Sequence, residues 1–214
     1  MRSAGRGSRA GLIAAALAVG VLAGCSSGPE SGKGAATAKP AAKKSEAKAA
    51  PKGRSLGGSG TACVMPVSFE LAPDWKPKAI TPAAADSPLA GLEKQGTVTM
   101  ACEIDAKPTG YVGFIRVWTG KAAKSPRPAL EAFMADERKT SKVTYSEVET
   151  GDLPGVEVRY TATSELWDEP QQKRAFAVAA PGGVAIVELG GLDNQEAAGM
   201  LPGYDLARKT VRAS

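Results

Sequence analysis

The chain has 214 residues, 43% hydrophobic, 23% charged and 5% aromatic, which suits one globular domain with added segments and excludes collagen and coiled coil. Its net charge of +5 lies outside that domain: residues 1–24 carry three Arg and no acid, residues 26–60 seven Lys/Arg and two Glu, and residues 61–214 hold 17 basic against 20 acidic side chains. A mildly acidic domain argues against nucleic acid as a partner, and the absence of histidine excludes Ser-His-Asp and Cys-His nucleophilic sites, His-ligated zinc and imidazole bases.

Arg2, Arg6 and Arg9 precede an apolar run from Gly11 to Ala23, shorter than the roughly 20 residues of a membrane-spanning helix. The run reads as an export signal. It ends in Leu22-Ala23-Gly24-Cys25, which resembles the lipobox of bacterial lipoproteins: a branched apolar residue, two small residues that fit a signal peptidase, then the lipidated cysteine. The resemblance implies that residues 1–24 are a signal peptide and that Cys25 carries a diacylglyceryl thioether, with the new amino terminus open to further acylation. At about 0.8 kcal/mol per buried methylene, two chains hold a protein on a bilayer where one exchanges. The expected location is the extracellular face of the cytoplasmic membrane, with the membrane itself as a partner.

Residues 25–60 comprise that cysteine and a linker rich in Ala, Lys and Pro, without an aromatic residue. Such a composition cannot bury a core and predicts disorder. As a flexible coil its reach is about 30 to 35 Å. The charge of the segment suits anionic headgroups or wall polymers, or simply keeps a tether soluble. Ser45-Glu46-Ala47-Lys48 matches a Ser-x-x-Lys hydrolase pattern, but that chemistry needs a helix in a buried cleft rather than a tether.

The globular domain is predicted over 61–214. Val67 to Leu71 alternates as a half-buried strand, and Pro73-Asp74-Trp75 turns the chain into a Pro-rich stretch that runs to Gly96. Thr97 to Asp105 and Tyr111 to Thr119 read as strands joined by Ala-Lys-Pro-Thr-Gly, the second apolar on both faces and therefore central. Ser125-Pro126 opens an amphipathic helix to Lys139, with Ala129, Leu130, Phe133 and Met134 on one stripe. Lys142 to Thr150 and Val156 to Trp167 flank the turn Gly151 to Gly155, and Lys173 to Ala180 pairs with Val184 to Leu189 across Pro181-Gly182-Gly183. Asp193 caps a last helical region to Arg212, with an interruption expected near Pro202-Gly203 and Met200, Tyr204, Ala207 and Val211 on one stripe. Strands, helix, hairpins and helix in this order predict the α+β class, an antiparallel β-sheet flanked by helices.

The run Phe69-x-Leu71-x-Pro73-x-Trp75 and, after the helix, Leu153-Pro154-Gly155-x-Glu157-x-x-Tyr160 resemble the actinobacterial lipoproteins of the PsbP/Mog1/LpqN-like superfamily over residues 64 to 212. The resemblance implies a sandwich with a seven-stranded type of antiparallel sheet between helices, and a non-catalytic interaction module. It brings no catalytic residues, and the excursion from Thr81 to Gly96 departs from the simpler relatives.

Asp168-Glu169 and Glu147/Glu149 read as solvated acids rather than a glycosidase pair. Asp193, Asn194 and Glu196 offer oxygen ligands to calcium, yet capping and the helix dipole explain them, so no metal site and no cofactor are expected. Trp75 and Trp118 sit in apolar company and read as core. Counting by twos, Trp167 falls in phase with Glu165, Thr163, Thr161, Arg159 and Glu157; with Asp168 and Glu169 it forms a partner-contact candidate at a hairpin tip, or else it folds over its own hairpin or meets a neighbouring helix. Cys63 and Cys102 form an even pair in an oxidising compartment, most simply a disulfide, the alternatives being separate buried thiols or a redox pair.

These readings predict a non-enzymatic, membrane-tethered lipoprotein domain that docks a protein or another envelope component. The alternative is a carrier whose sheet and helices enclose an apolar or amphiphilic small molecule.

Overall fold

A computed structural model of the chain describes residues 52–84, 86–87, 91–163 and 169–214. The chain divides into two units, Met1–Lys44 and Ser45–Ser214, and every described residue lies in the second. The leader, Cys25 and the first part of the tether lie outside the described residues, as do Trp167 and Asp168.

Two sheets and two helices build the domain. Strands β1 (Ser55–Leu56), β2 (Val67–Glu70) and β11 (Arg212–Ala213) form a small sheet in the order β1-β2-β11. The large sheet contains β3 (Lys76–Ala79), β4 (Lys94–Gln95), β5 (Val98–Asp105), β6 (Gly113–Gly120), β7 (Thr140–Val148), β8 (Gly155–Thr163), β9 (Pro170–Ala180) and β10 (Gly183–Gly191). Its order is β3-β5-β6-β10-β9-β8-β7, with β4 also paired to β5, and all the pairs are antiparallel. The helices are α1 (Arg127–Ala135) and α2 (Asn194–Thr210).

The large sheet carries a core on each face, which is why β10 is buried from Gly183 through Leu189 whichever way its side chains point. Ala185, Val187 and Leu189 join one cluster with Phe176, Val178, Ile115 and Val117, into which α2 places Met200, Tyr204 and Ala207 and the small sheet places Leu56, Val67 and Phe69. Val184 and Ile186 join the other with Val158, Ala175, Ala177 and Trp118, against Leu130 and Phe133 of α1. An edge-to-face ring pair anchors each cluster: Phe176 with Tyr204 and Trp118 with Phe133, both at 5.4 Å between centroids.

A register shift in β5 between Met100 and Cys102 decides what that strand can do. Val98 and Met100 pack in the α1 cluster, whereas Cys102 and Ile104 pack in the α2 cluster. Without the extra residue Cys102 would keep the parity of Met100 and face the wrong core. With it, Cys102 meets Cys63 in a disulfide whose Cα atoms are 5.8 Å apart.

The structure departs from the sequence reading at four places. Residues 52–57 belong to the folded part: β1 pairs with β2, and Leu56 is buried. Strands β3 and β4 pair end to end along β5; β3 reads Lys-Pro-Lys-Ala and is largely exposed, so no apolar alternation marks it. Helix α2 runs unbroken through Pro202; next to it Gly203 leaves room for the Trp75 ring, because a Cβ there would lie 2.7 Å from the indole Cη2. Finally, the face of β8 that looked polar is only partly a solvent face: Glu157 and Thr161 are buried, while Arg159 between them is exposed.

Candidate functional site

Helix α1 covers only part of its side of the large sheet, and strand pairing fixes what lies on the rest. Arg116 of β6 stands directly opposite Glu103 of β5 on one side and Glu188 of β10 on the other. One pleat further along, Phe114 is opposite Gly190, and on the neighbouring strands Lys173 is opposite Tyr160. A glycine thus stands amid long side chains and leaves a depression above itself. A Cβ built on Gly190 would meet only the Phe114 carbonyl at 3.6 Å and Arg116 Nη1 at 3.7 Å.

The polar groups around this depression are incompletely satisfied. Glu188 is 6% exposed and accepts a hydrogen bond on Oε2 from Trp118 Nε1 at 3.2 Å. Burial raises its carboxyl above the ordinary value of 4.5, Glu137 pushes the same way, and Lys173, Arg116 and the Trp118 bond oppose. Arg116 binds Glu103 Oε2 through Nε alone, at 3.0 Å, and its guanidinium lies 5.4 Å from the Phe114 ring centre. Lys173 is half-buried and has no ion pair within 4.0 Å among the described residues. The Tyr160 hydroxyl is buried with no hydrogen bond of ordinary geometry among the described residues. Desolvation first, then the charges of Glu188 and Glu137 and the attraction of its proton to the Glu137 carboxylate, hold it well above its ordinary range; Glu137, just beyond α1, also accepts from Gln95 Nε2 at 2.8 Å. Unpaired polar groups at this depth are costly unless something completes them.

Open clefts lie elsewhere. The loop before α1 is flanked by a cleft of about 520 Å³ lined by Thr97, Lys121, Ala122, Ala123, Pro128 and Val184 among others, and by one of about 360 Å³ that includes Ser125, Glu147 and Val156.

The residues singled out by sequence fall in three groups. Cys63 and Cys102 are bonded. Asp193 caps α2 by accepting from the Gln195 and Glu196 amides, both at 2.8 Å, and Glu196 accepts from the Val112 amide at 2.8 Å, so this cluster is built as a cap. Glu169 is exposed beside Gln171, Leu192 and Asp193, while Trp167 and Asp168 lie outside the described residues. Of the described residues in phase with it, Glu157 and Thr161 are buried, Thr163 is half-buried and Arg159 is exposed. The cluster around Gly190 escaped the sequence reading. Its signal was Glu188, a charge inside the otherwise apolar run Val184 to Leu189, where both faces of the strand are buried.

These elements define an antiparallel α+β domain with a polar cluster on the sheet face beside α1. The chain belongs to the family described as Uncharacterised lipoprotein, whose family model matches residues 33–211, which places it among the membrane-anchored lipoproteins of the cell envelope. The solution structure of cyanobacterial PsbP from Synechocystis sp. PCC 6803 is similar at a TM-score of 0.48 and 10% identity, over 74% of this chain and 97% of that one. No curated protein matches the chain.

Proposed function

We propose that the chain is a non-enzymatic, lipid-anchored docking domain on the extracellular face of the cytoplasmic membrane, recognising a protein or another envelope component. In this reading residues 1–24 are a signal peptide, Cys25 carries the lipid, and the tether ends before β1. Counted from Ser26 to Pro51 it reaches about 25 to 30 Å. The observation that carries the reading is the sheet face beside α1, where, among the described residues, Lys173 has no ion pair and the Tyr160 hydroxyl makes no hydrogen bond of ordinary geometry. A photo-crosslinking residue in place of Phe114, on that face, tests it in intact cells against the same residue in place of Val64, which is 71% exposed elsewhere. The expected result is one adduct specific to position 114; equal labelling from both positions overturns the assignment.

One observation favours a carrier as the second reading. The cleft of about 520 Å³ beside α1 is lined mainly by apolar groups, with Lys121 among its lining residues, a composition that suits an amphiphile with an anionic head. Mass spectrometry of lipids extracted from the native domain decides: a stoichiometric lipid without a stable protein adduct favours the carrier.

A further inference from the structure

We propose that the depression over Gly190, between Arg116 and Lys173, binds a single oxyanion group, a carboxylate or a phosphate ester, carried by the molecule this domain recognises. The inference rests on the docking reading and names the chemistry of what is docked.

Three features carry it. The first is shape: across β6, β10 and β9 the order Phe114, Gly190, Lys173 gives a floor with no side chain between two strands that bear long ones. The second is the donor inventory. Among the described residues Lys173 has no ion pair, Arg116 uses only Nε on Glu103, and the Tyr160 hydroxyl, beside the Glu137 carboxylate, makes no hydrogen bond of ordinary geometry. Guanidinium, ammonium and phenol all donate to anionic oxygen, and the free Nη groups of Arg116 suit a planar or tetrahedral oxyanion. The third is partial burial: the Arg116 side chain is 33% exposed and Lys173 and Gly190 are half-buried, so an anion that met these donors would be less screened than one on an open surface.

Glu188 acts as the counterweight. Facing it are Arg116 on β6, Lys173 on β9, Tyr160 on β8, Glu137 after α1 and the Trp118 N–H, with Glu103 beyond Arg116. Ionised, Glu188 competes with the ligand for Arg116 and Lys173; protonated, it leaves both cations to the ligand. Oxyanion binding is therefore coupled to proton uptake at Glu188, and affinity falls as pH rises through its raised pKa. Glutamine at this position imitates the protonated carboxyl and removes the coupling.

The test uses the lipid-free exported chain with two soluble probes, acetate for a carboxylate and sulfate as a stand-in of constant charge for a phosphate ester. Binding is followed by the amide resonances of Gly190 and Lys173. At least one probe is expected to saturate these shifts, and the tighter one identifies the oxyanion. Lys173→Gln and Gly190→Ala should each weaken binding by about tenfold or more; a Cβ at residue 190 makes only ordinary contacts, with the Phe114 carbonyl and Arg116 Nη1, so alanine enters the depression without colliding with the backbone. Glu188→Gln should bind at least as well as the parent and with no change between about pH 5 and about pH 8. The proposal is overturned if neither probe saturates, if both filling and charge-removing variants bind like the parent, or if Glu188→Gln abolishes binding. Failure here leaves the crosslinking result at position 114 unaffected, so the two readings fail separately.

Discussion

Tyr204 of α2 donates its hydroxyl hydrogen to Glu157 Oε1 of β8 at 3.1 Å, and both side chains are at most 1% exposed. The second carboxylate oxygen accepts from Arg159 Nε at 2.6 Å. This charge-assisted bond ties the helix to the sheet inside the larger core. Tyr204→Phe removes one donor from a buried carboxylate and should cost about 1 to 3 kcal/mol in urea unfolding.

The same residue sets the alkaline limit of the fold. Desolvation, reinforced by Glu157, raises the Tyr204 hydroxyl well above its ordinary value of 10.0, and Tyr160 is raised for similar reasons. Above about pH 10 the unfolded chain releases these protons while the folded chain keeps them, so stability falls as pH rises. The unfolding free energy should decline by up to about 1.4 kcal/mol per pH unit for each tyrosine, and Tyr160→Phe or Tyr204→Phe should each make that slope shallower.

Glu188 behaves oppositely to a surface carboxylate. With a folded pKa above the ordinary 4.5, its contribution is full in acid and is lost as pH rises through the window above that value. Glu188→Gln keeps the shape of the protonated acid and does not ionise. The variant should match the parent in acid and exceed it in stability at neutral pH, as read by thermal melting at the two conditions. A variant less stable than the parent at neutral pH shows that the carboxylate is ionised and held by Arg116 and Lys173.

How much of this was legible beforehand follows from which residues advertise their environment. The helix stripe Leu130, Phe133 and Met134, the cap at Asp193, and the apolar runs of β5, β6 and β10 are local patterns, and the structure keeps them. Strand β3 is Lys-Pro-Lys-Ala, an edge strand that exists because β5 offers it backbone partners, a non-local cause that leaves no hydrophobic trace. Leu56 is a single apolar residue in a Lys- and Gly-rich stretch, and composition averaged it away. Glu157 looked solvent-facing because a charge at alternate positions is the usual mark of an outer face; here Tyr204, forty-seven residues later, makes the burial tolerable. The Gly190 depression arises from four strands in register, and pairing register is what single-sequence reading resolves least.

The disulfide carries the least self-supporting part of the domain. Cys63–Cys102 closes a sequence separation of 39 residues that includes β2, β3, β4 and the Pro-rich stretch between the last two. On the chain-entropy account such a bridge contributes about 4 kcal/mol. Replacing both cysteines with serine should lower unfolding stability by an amount of that order. Alkylation of protein from the envelope without reductant should label neither residue.

Anchorage is expected to depend on one sulfur. Cys25→Ser should lose both acylation and cleavage, because serine offers no sulfur for the thioether, and the apolar run before it is shorter than a spanning helix and cannot replace the anchor. Processing at Gly24/Cys25 with retention on membranes after a high-salt wash would show that another element anchors the chain.

Where the tether ends and the domain begins can be tested with two neighbouring glycines. Gly57 has φ 113°, a backbone conformation that side chains resist, and a Cβ there would lie 2.8 Å from Ser68 Cα and closer still to the Val67 carbonyl. Its amide accepts no such freedom in a disordered linker: it donates to Thr61 Oγ1 at 3.1 Å, while the Gly57 carbonyl accepts from the Met65 amide at 2.8 Å. Gly58, one residue on, has nothing within 4 Å of a built Cβ. If the folded domain starts before β1, Gly57→Ala should destabilise it by about 1 to 3 kcal/mol through backbone strain and displacement of β2, whereas Gly58→Ala should be nearly neutral. Equal and negligible effects at both positions would mean that residues 52–60 are tether after all, and that Leu56 does not help to hold β2 against the core. Urea unfolding of the two variants beside the parent makes the comparison, with Leu56→Ala expected to cost about 2 to 5 kcal/mol as a buried leucine does.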